Sequence, residues 1–245
     1  MDNDDEDRIV LSGNALAALQ DFYNQRDKDL EAFEQLTSEG SNRQITSIST
    51  FKEDWNASQF WVKPPVVGVD NANLQQFTDA TARLLAEQLV QGSTSETSIA
   101  VVSAPSVFVQ LKNLLATGKY PTPARICLFE YDERFGILGD FVKFDFNKPT
   151  NLPPDLRNVF DRILCDPPYH STECILKYAE TVEWLWKGRS EGTCCESRRV
   201  ICTGQTMKDV VLEAFAGMKQ DPFEPEHTAR LDNKYACFAD FELQR

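Results

Sequence analysis

From Ser98 onward the chain alternates short β-rich runs with stretches of helical period, and few folds accept that order. The runs are Ile99–Ser103, Ile126–Glu130, Phe141–Phe146, Phe160–Asp166 and Val200–Thr203. Between them Val107, Leu111, Leu114 and Leu115, and then Ile175, Ala179, Val182 and Trp186, recur three or four residues apart, which lines them along one face of a helix. Met207, Val210, Val211, Ala214 and Phe215 repeat the pattern after the fifth run. Strand and helix in alternation predict a mostly parallel sheet covered by helices. Two last runs, near Met218–Phe223 and Tyr235–Phe241, have no helical pattern between them and are expected to pair antiparallel. The predicted architecture is therefore α/β: a seven-stranded, mostly parallel, doubly wound sheet ending in a C-terminal antiparallel hairpin. In such sheets ligands bind beyond the carboxyl ends of the strands, where the strand order reverses.

Ahead of the sheet, residues 1–8 form an acidic tail, and Ser12 is placed to cap a helix through about Leu36. Leu16, Leu19, Tyr23 and Leu30 give that helix only a broken apolar stripe. We therefore expect a tail and peripheral helical arm over residues 1–46 and one domain over 47–245. The segment Phe51–Trp61 is dense in aromatic residues, and a helix is predicted from about Leu74 to Val90. Lys187–Arg199, polar with two glycines, reads as a surface loop.

The sharpest chemical signal is Asp166-Pro167-Pro168-Tyr169, which follows the apolar run Ile163-Leu164-Cys165 directly. Two prolines fix φ and remove two backbone donors, so the loop presents carbonyl acceptors that it cannot satisfy itself. Asp166 adds a carboxylate, and the ring of Tyr169 offers a face to a planar base or an ammonium. Such a loop suits a bound amino nitrogen, with Asp166, Pro167 and Tyr169 as its catalytic members and Pro168 and Tyr169 against the substrate. It resembles the acid-Pro-Pro-aromatic signature of amino-group methyltransferases.

A methyl donor needs a site beside that loop. The first run turns through Ser103-Ala104-Pro105-Ser106 into a helix whose free N–H groups face the carboxyl edge. No glycine-rich turn is present, so Ser103, Ala104 and Ser106 are candidates for the donor turn or members of a plain tight turn. Glu130, ahead of Asp132, ends the second run where ribose hydroxyls bind in this architecture. Asp145 stands either to accept from an adenine amino group or as an exposed strand-end acid. His170 adjoins the loop and could relay the proton, but reads better as an exposed histidine at a helix start, and His227 as a structural or solvated one.

Taken in order, Ser58-Gln59-Phe60-Trp61, Ser103-Ala104-Pro105-Ser106, Phe129-Glu130-Tyr131-Asp132 with Arg134-Phe135, Asp166-Pro167-Pro168-Tyr169 and Cys202-Thr203-Gly204 resemble the eukaryotic translation elongation factor 1-alpha lysine methyltransferase 1 family, earlier labelled an N6-adenine-specific DNA methyltransferase. The resemblance covers residues 50–240 or so. It implies a Rossmann-like class I methyltransferase that uses S-adenosyl-L-methionine, yields S-adenosyl-L-homocysteine, needs no metal, and trimethylates a lysine of elongation factor 1-alpha in the cytoplasm. It also implies that Phe60 and Trp61 line the substrate channel and that Asp166 borders the donor as well as the acceptor. The loop Lys187–Arg199 and the linker Val62–Asn73 are longer than the family pattern.

Charge separates the rival substrates. A net charge of −13 repels the phosphate backbone that supplies most nucleic-acid affinity, which argues against an adenine in DNA or RNA and for a basic protein. A silent binding module on the same sheet is the other alternative, kept open by the missing glycine turn. Cys127, Cys165 and Cys202 lie in apolar runs and read as reduced buried thiols, while Cys194-Cys195 reads as exposed. No stretch approaches 18 apolar residues and no basic, hydrophobic leader opens the chain, so no membrane contact and a place in the cytoplasm, with the nucleus as the alternative, are expected; a monomer is expected too.

Overall fold

The computed structural model describes residues 77–188, 196–227 and 234–244. The acidic tail, the arm over 12–36, the boundary at 46/47, the aromatic segment with Ser58, Phe60 and Trp61, and Cys194-Cys195 lie outside the described residues.

Helix α1 spans Asp79–Val90, and the Thr78 side chain caps it by accepting from Thr81 N. It starts later than the hydrophobic pattern suggested, because Phe77 pairs with His227 in an isolated bridge. Then follow β1 (Ser98–Val102), α2 (Pro105–Ala116), β2 (Arg125–Glu130), β3 (Phe141–Lys143), β4 (Arg162–Cys165), α3 (Thr172–Leu185), β5 (Arg198–Gly204), α4 (Lys208–Ala214), β6 (Lys219–Asp221) and β7 (Tyr235–Ala239). The seven strands form one sheet in the order β3-β2-β1-β4-β5-β7-β6. Strands β1 to β5 pair parallel, and β7 runs antiparallel to both β5 and β6. The order reverses between β1 and β4, so the crevice of a doubly wound sheet opens there.

β1 is buried along its whole length, as a central parallel strand covered on both faces must be. Ala100 and Val102 join Ile175, Tyr178 and Val182 of α3 and Val211 of α4 in one core cluster. By the two-residue period of a strand, Ile99 and Val101 face the opposite side. There α1 packs on α2.

Three strands also differ from the sequence expectation. β3 ends at Lys143, not Phe146, because Asp145 turns the chain: its Oδ1 accepts from Asn147 N at 2.9 Å and its carbonyl from Lys148 N at 2.8 Å. β4 is shorter than Phe160–Asp166, with Phe160 held in a separate bridge to Trp186. β5 begins at Arg198, so Arg198 and Arg199 are buried strand residues and not the end of a surface loop. Their charges are affordable inside because each is paired. Arg199 meets Asp240 at 3.0 Å, Glu183 at 2.6 Å and the Ala216 carbonyl at 2.7 Å, and Arg198 donates to the Gln88 carbonyl at 2.9 Å.

Candidate active site

Strand register creates the site. Val102 stands opposite Phe129 on one side and Cys165 on the other, so the next residues along, Ser103, Glu130 and Asp166, form a row at the carboxyl edge. Ser103 N donates to the Phe129 carbonyl at 2.9 Å and Asp166 N to the Val102 carbonyl at 3.0 Å, which carries the ladder into that row.

Ser103 has φ of 56°, the left-handed region that glycine usually occupies. Its Oγ is 2.7 Å from the hydroxyl of Tyr178 on α3. The chain thus makes the sharp turn after β1 without a glycine. Ala104 is buried and stands at the N-cap of α2, with Pro105 in the first turn. No side chain caps that helix start, which leaves the Ser106 N–H available to a ligand.

Glu130 is half-buried and its Oε1 accepts from Tyr131 N at 2.7 Å and Asp132 N at 3.4 Å, leaving Oε2 for a ligand. Burial raises its pKa, and the two N–H bonds oppose that rise. Asp132 is half-buried at the start of the 3-10 turn Glu133–Leu138. Tyr131 is exposed, with Lys143 Nζ 4.0 Å above its ring. Asp145 spends one carboxylate oxygen on its own turn, and it sits half-buried two residues past β3.

The loop Asp166–Tyr169 leaves β4 at the reversal point. Burial, with the neighbouring Glu130 second, pushes the Asp166 carboxyl well above the usual carboxylate range. Pro167 is buried, and Pro168 and Tyr169 are half-buried. The Tyr169 ring lies 5.6 Å from Phe146, which stacks at 6.0 Å on Tyr178. Ser171 then caps α3 by accepting from Cys174 N at 3.2 Å.

His170 corrects the expectation of an exposed helix-start histidine. Its Nε2 lies 3.0 Å from the hydroxyl of Tyr235, the first residue of β7. Its ring rests on the bare backbone of Gly204, where a Cβ would come within 2.8 Å of Nδ1. Long-range packing half-buries what the local sequence left at a loop's end. His227 is structural, as one of the two readings held: it bridges Phe77, and its ring centroid is 4.0 Å from that of Tyr235. Burial, followed by the nearby His170, pushes its pKa down to about 4.

Ser103, Ala104, Ser106, Glu130 and Asp166 therefore converge, with Asp132 and Asp145 flanking them and Pro167, Pro168 and Tyr169 alongside. Tyr178 and Tyr235 escaped the sequence reading. The signal for Tyr178 was a hydroxyl set among Ile175, Ala179 and Val182 on an apolar helical face. Tyr235 had none beyond opening a strand.

An adenosyl sulfonium amino acid asks for a carboxylate near its ribose hydroxyls, N–H donors near its own carboxylate and a turn that admits close approach. Glu130, the uncapped start of α2 and the Ser103-Ala104 turn are groups of those kinds in one row, so the residues fit. Among the described residues no cluster of three or more His, Cys, Asp or Glu is arranged to hold a metal ion. None of the described helices is long and apolar enough to cross a membrane.

Comparison with known proteins agrees. Residues 53–243 match a family model described as "Probable N6-adenine methyltransferase". The chain is 35% identical to EEF1A lysine methyltransferase 1 of Gallus gallus, covering 98% of each chain, and 32% identical to the Homo sapiens protein of that name, covering 98% of this chain and 96% of the relative. It is 33% identical to the protein-lysine N-methyltransferase EFM5 of Saccharomyces cerevisiae, over 95% of this chain and 92% of the relative. A solved structure from Listeria monocytogenes, described as a class I S-adenosylmethionine-dependent methyltransferase, superposes with a TM-score of 0.51 at 11% identity, over 82% of this chain and 69% of the other.

Proposed function

The chain belongs to the EEF1A lysine methyltransferase 1 family of protein-lysine N-methyltransferases, and on that premise we propose that it trimethylates a lysine of translation elongation factor 1-alpha. The observation that carries the reading is the single row of Ser103, Glu130 and Asp166 at the strand reversal, with a proline-stiffened acceptor loop at one end.

S-adenosyl-L-methionine, when bound, supplies an electron-poor methyl group. In this reading Ser103, Ala104 and Ser106 hold its amino-acid end, Glu130 and Asp132 its ribose, and Asp145 its adenine amino group. A lysine ammonium has no lone pair. With a pKa of about 10.4, only roughly one part in 2,500 is neutral at pH 7, a penalty of about 4–5 kcal/mol. Desolvation beside Tyr169 and Phe146 lowers that penalty by disfavouring the charged amine. Asp166 works in the opposite sense, since a carboxylate favours the ammonium. Its task is therefore to accept an N–H bond and, with the Pro167 carbonyl, turn the lone pair toward the methyl group. The Tyr169 ring packs on the lysine stem and tolerates the growing methylammonium by cation–π attraction, which suits successive transfers. Pro168 keeps the loop stiff. The enzyme acts as a cytoplasmic monomer in this reading.

Intact-mass analysis of elongation factor 1-alpha, before and after treatment with enzyme and donor, tests the proposal. A gain of three methyl groups is expected. Methylated oligonucleotide beside unmodified protein would overturn it in favour of an adenine substrate. Asp166→Ala is expected to keep the fold and lose turnover, and unchanged activity would remove the loop from the mechanism.

A further inference from the structure

Among the described non-glycine residues, only Ser103, Asp140 and Asn158 have positive φ. Asp and Asn tolerate this region because their side chains bond locally to the backbone. Serine makes such local bonds more weakly, so a further partner is needed to hold Ser103 there.

The holder comes from 75 residues away: the Tyr178 hydroxyl, 2.7 Å from Ser103 Oγ. Tyr178 is buried, set edge-on to Phe144 at 5.4 Å and stacked on Phe146 at 6.0 Å, so its hydroxyl is aimed by packing. Burial, ahead of neighbouring Cys165 and Glu130, keeps that hydroxyl protonated. Tyr178 belongs to the helix that begins directly after the Asp166–Tyr169 loop, and Phe146 touches both Tyr178 and Tyr169. One side chain thus connects the turn after β1 with the acceptor loop.

We propose that Tyr178 is a positioning residue for the methyl donor: its hydroxyl clamps Ser103 in the left-handed conformation that shapes the donor turn, and ties that turn to the helix following the Asp166 loop. This inference rests on the reading of Ser103–Ser106 as the donor turn. The clamp takes over the role of the missing glycine, since glycine adopts positive φ unaided and a serine does not. The alternative is that Ser103 merely satisfies a buried tyrosine hydroxyl, with no effect on the donor.

Calorimetric titration with S-adenosyl-L-homocysteine separates the two. The wild-type chain, Y178F, S103A, S103G and the double variant S103G/Y178F are compared, each with its thermal midpoint. Y178F and S103A are each expected to bind about ten-fold more weakly, the effect of about one hydrogen bond. In the S103G background, where glycine takes positive φ unaided and the clamp is dispensable, adding Y178F is expected to change affinity by less than about two-fold. The rescue is the readout that a purely structural role does not give. The proposal is overturned if Y178F costs the same in the S103G background as in wild type, or if it lowers the thermal midpoint with affinity unchanged. A wild-type chain that binds no S-adenosyl-L-homocysteine would sink the donor-turn reading itself, and the clamp with it.

Discussion

Gly204→Ala is the most revealing single-methyl change. Gly204 ends β5 with φ −59° and ψ 138°, a backbone that any residue adopts. On conformational grounds alone alanine should stabilise the chain by about 0.4–1 kcal/mol, through a less flexible unfolded state. The structure reverses that sign. A Cβ at 204 would lie 2.8 Å from His170 Nδ1, 2.9 Å from Cε1 and 3.0 Å from Cγ, whereas ordinary contact begins at 3.4 Å, so the ring must retreat by 3.4 − 2.8 = 0.6 Å. It cannot do so freely, because its other nitrogen is bonded to Tyr235 at 3.0 Å. Overpacking of this kind costs about 1–3 kcal/mol, and loss of the Tyr235 bond adds about 1 kcal/mol. Set against the conformational gain, the expected net loss is about 1–3.5 kcal/mol in a urea titration.

His170 directly follows Tyr169, so its retreat also pulls on the acceptor loop. Misplacing catalytic groups by about 1 Å costs on the order of 100-fold, and we expect turnover to fall about ten-fold or more. The double variant H170A/G204A isolates the cause. With the imidazole gone, the added methyl has nothing to strike, so H170A/G204A should be more stable than H170A by about 0.4–1 kcal/mol. If alanine at 204 costs the same with and without the imidazole, the close approach is not what demands glycine here, and the reasoning fails.

Two further outcomes follow from buried charge. The folded Asp166 carboxyl binds its proton more tightly than in the unfolded chain, so stability is drawn down as pH rises from about 3.9 toward the raised folded value. Asp166→Asn has no proton to lose and should become progressively more stable than wild type as pH rises above about 4; a stability difference that does not change with pH would refute the assignment. Arg162, fully buried in β4, donates to the carbonyls of Leu89 at 2.8 Å, Gln91 at 2.7 Å and Gly92 at 2.8 Å, closing the carboxyl end of α1. Arg162→Met strands those acceptors and should cost about 3 kcal/mol in chemical denaturation, and a loss under about 0.5 kcal/mol would show that the carbonyls find other partners.

Much of this molecule was legible in the chain because hydrophobic period is local. Ile99–Ser103 and Val107–Leu115 announced β1 and α2 within a residue or two, and the last two runs did pair antiparallel as expected. Asp166-Pro167-Pro168-Tyr169 was recognisable as a loop at a strand's carboxyl end, since Ile163-Leu164-Cys165 runs straight into it. Arg198 and Arg199 were not legible as strand. Two adjacent arginines look like surface, and only Asp240 and Glu183, 41 and 16 residues from Arg199, make its burial affordable.

By itself, then, the sequence determined the strand-and-helix alternation, the acceptor loop and the kinship of the chain, all of which rest on residues near one another in order. Tertiary structure alone decided that β7 slots between β5 and β6, that Ser103 turns without glycine by leaning on Tyr178, and that Gly204 must stay bare for His170. The physical reason is that periodicity reports which face of an element is apolar. Which distant hydroxyl, ring or carboxylate meets that face is settled only when the elements pack.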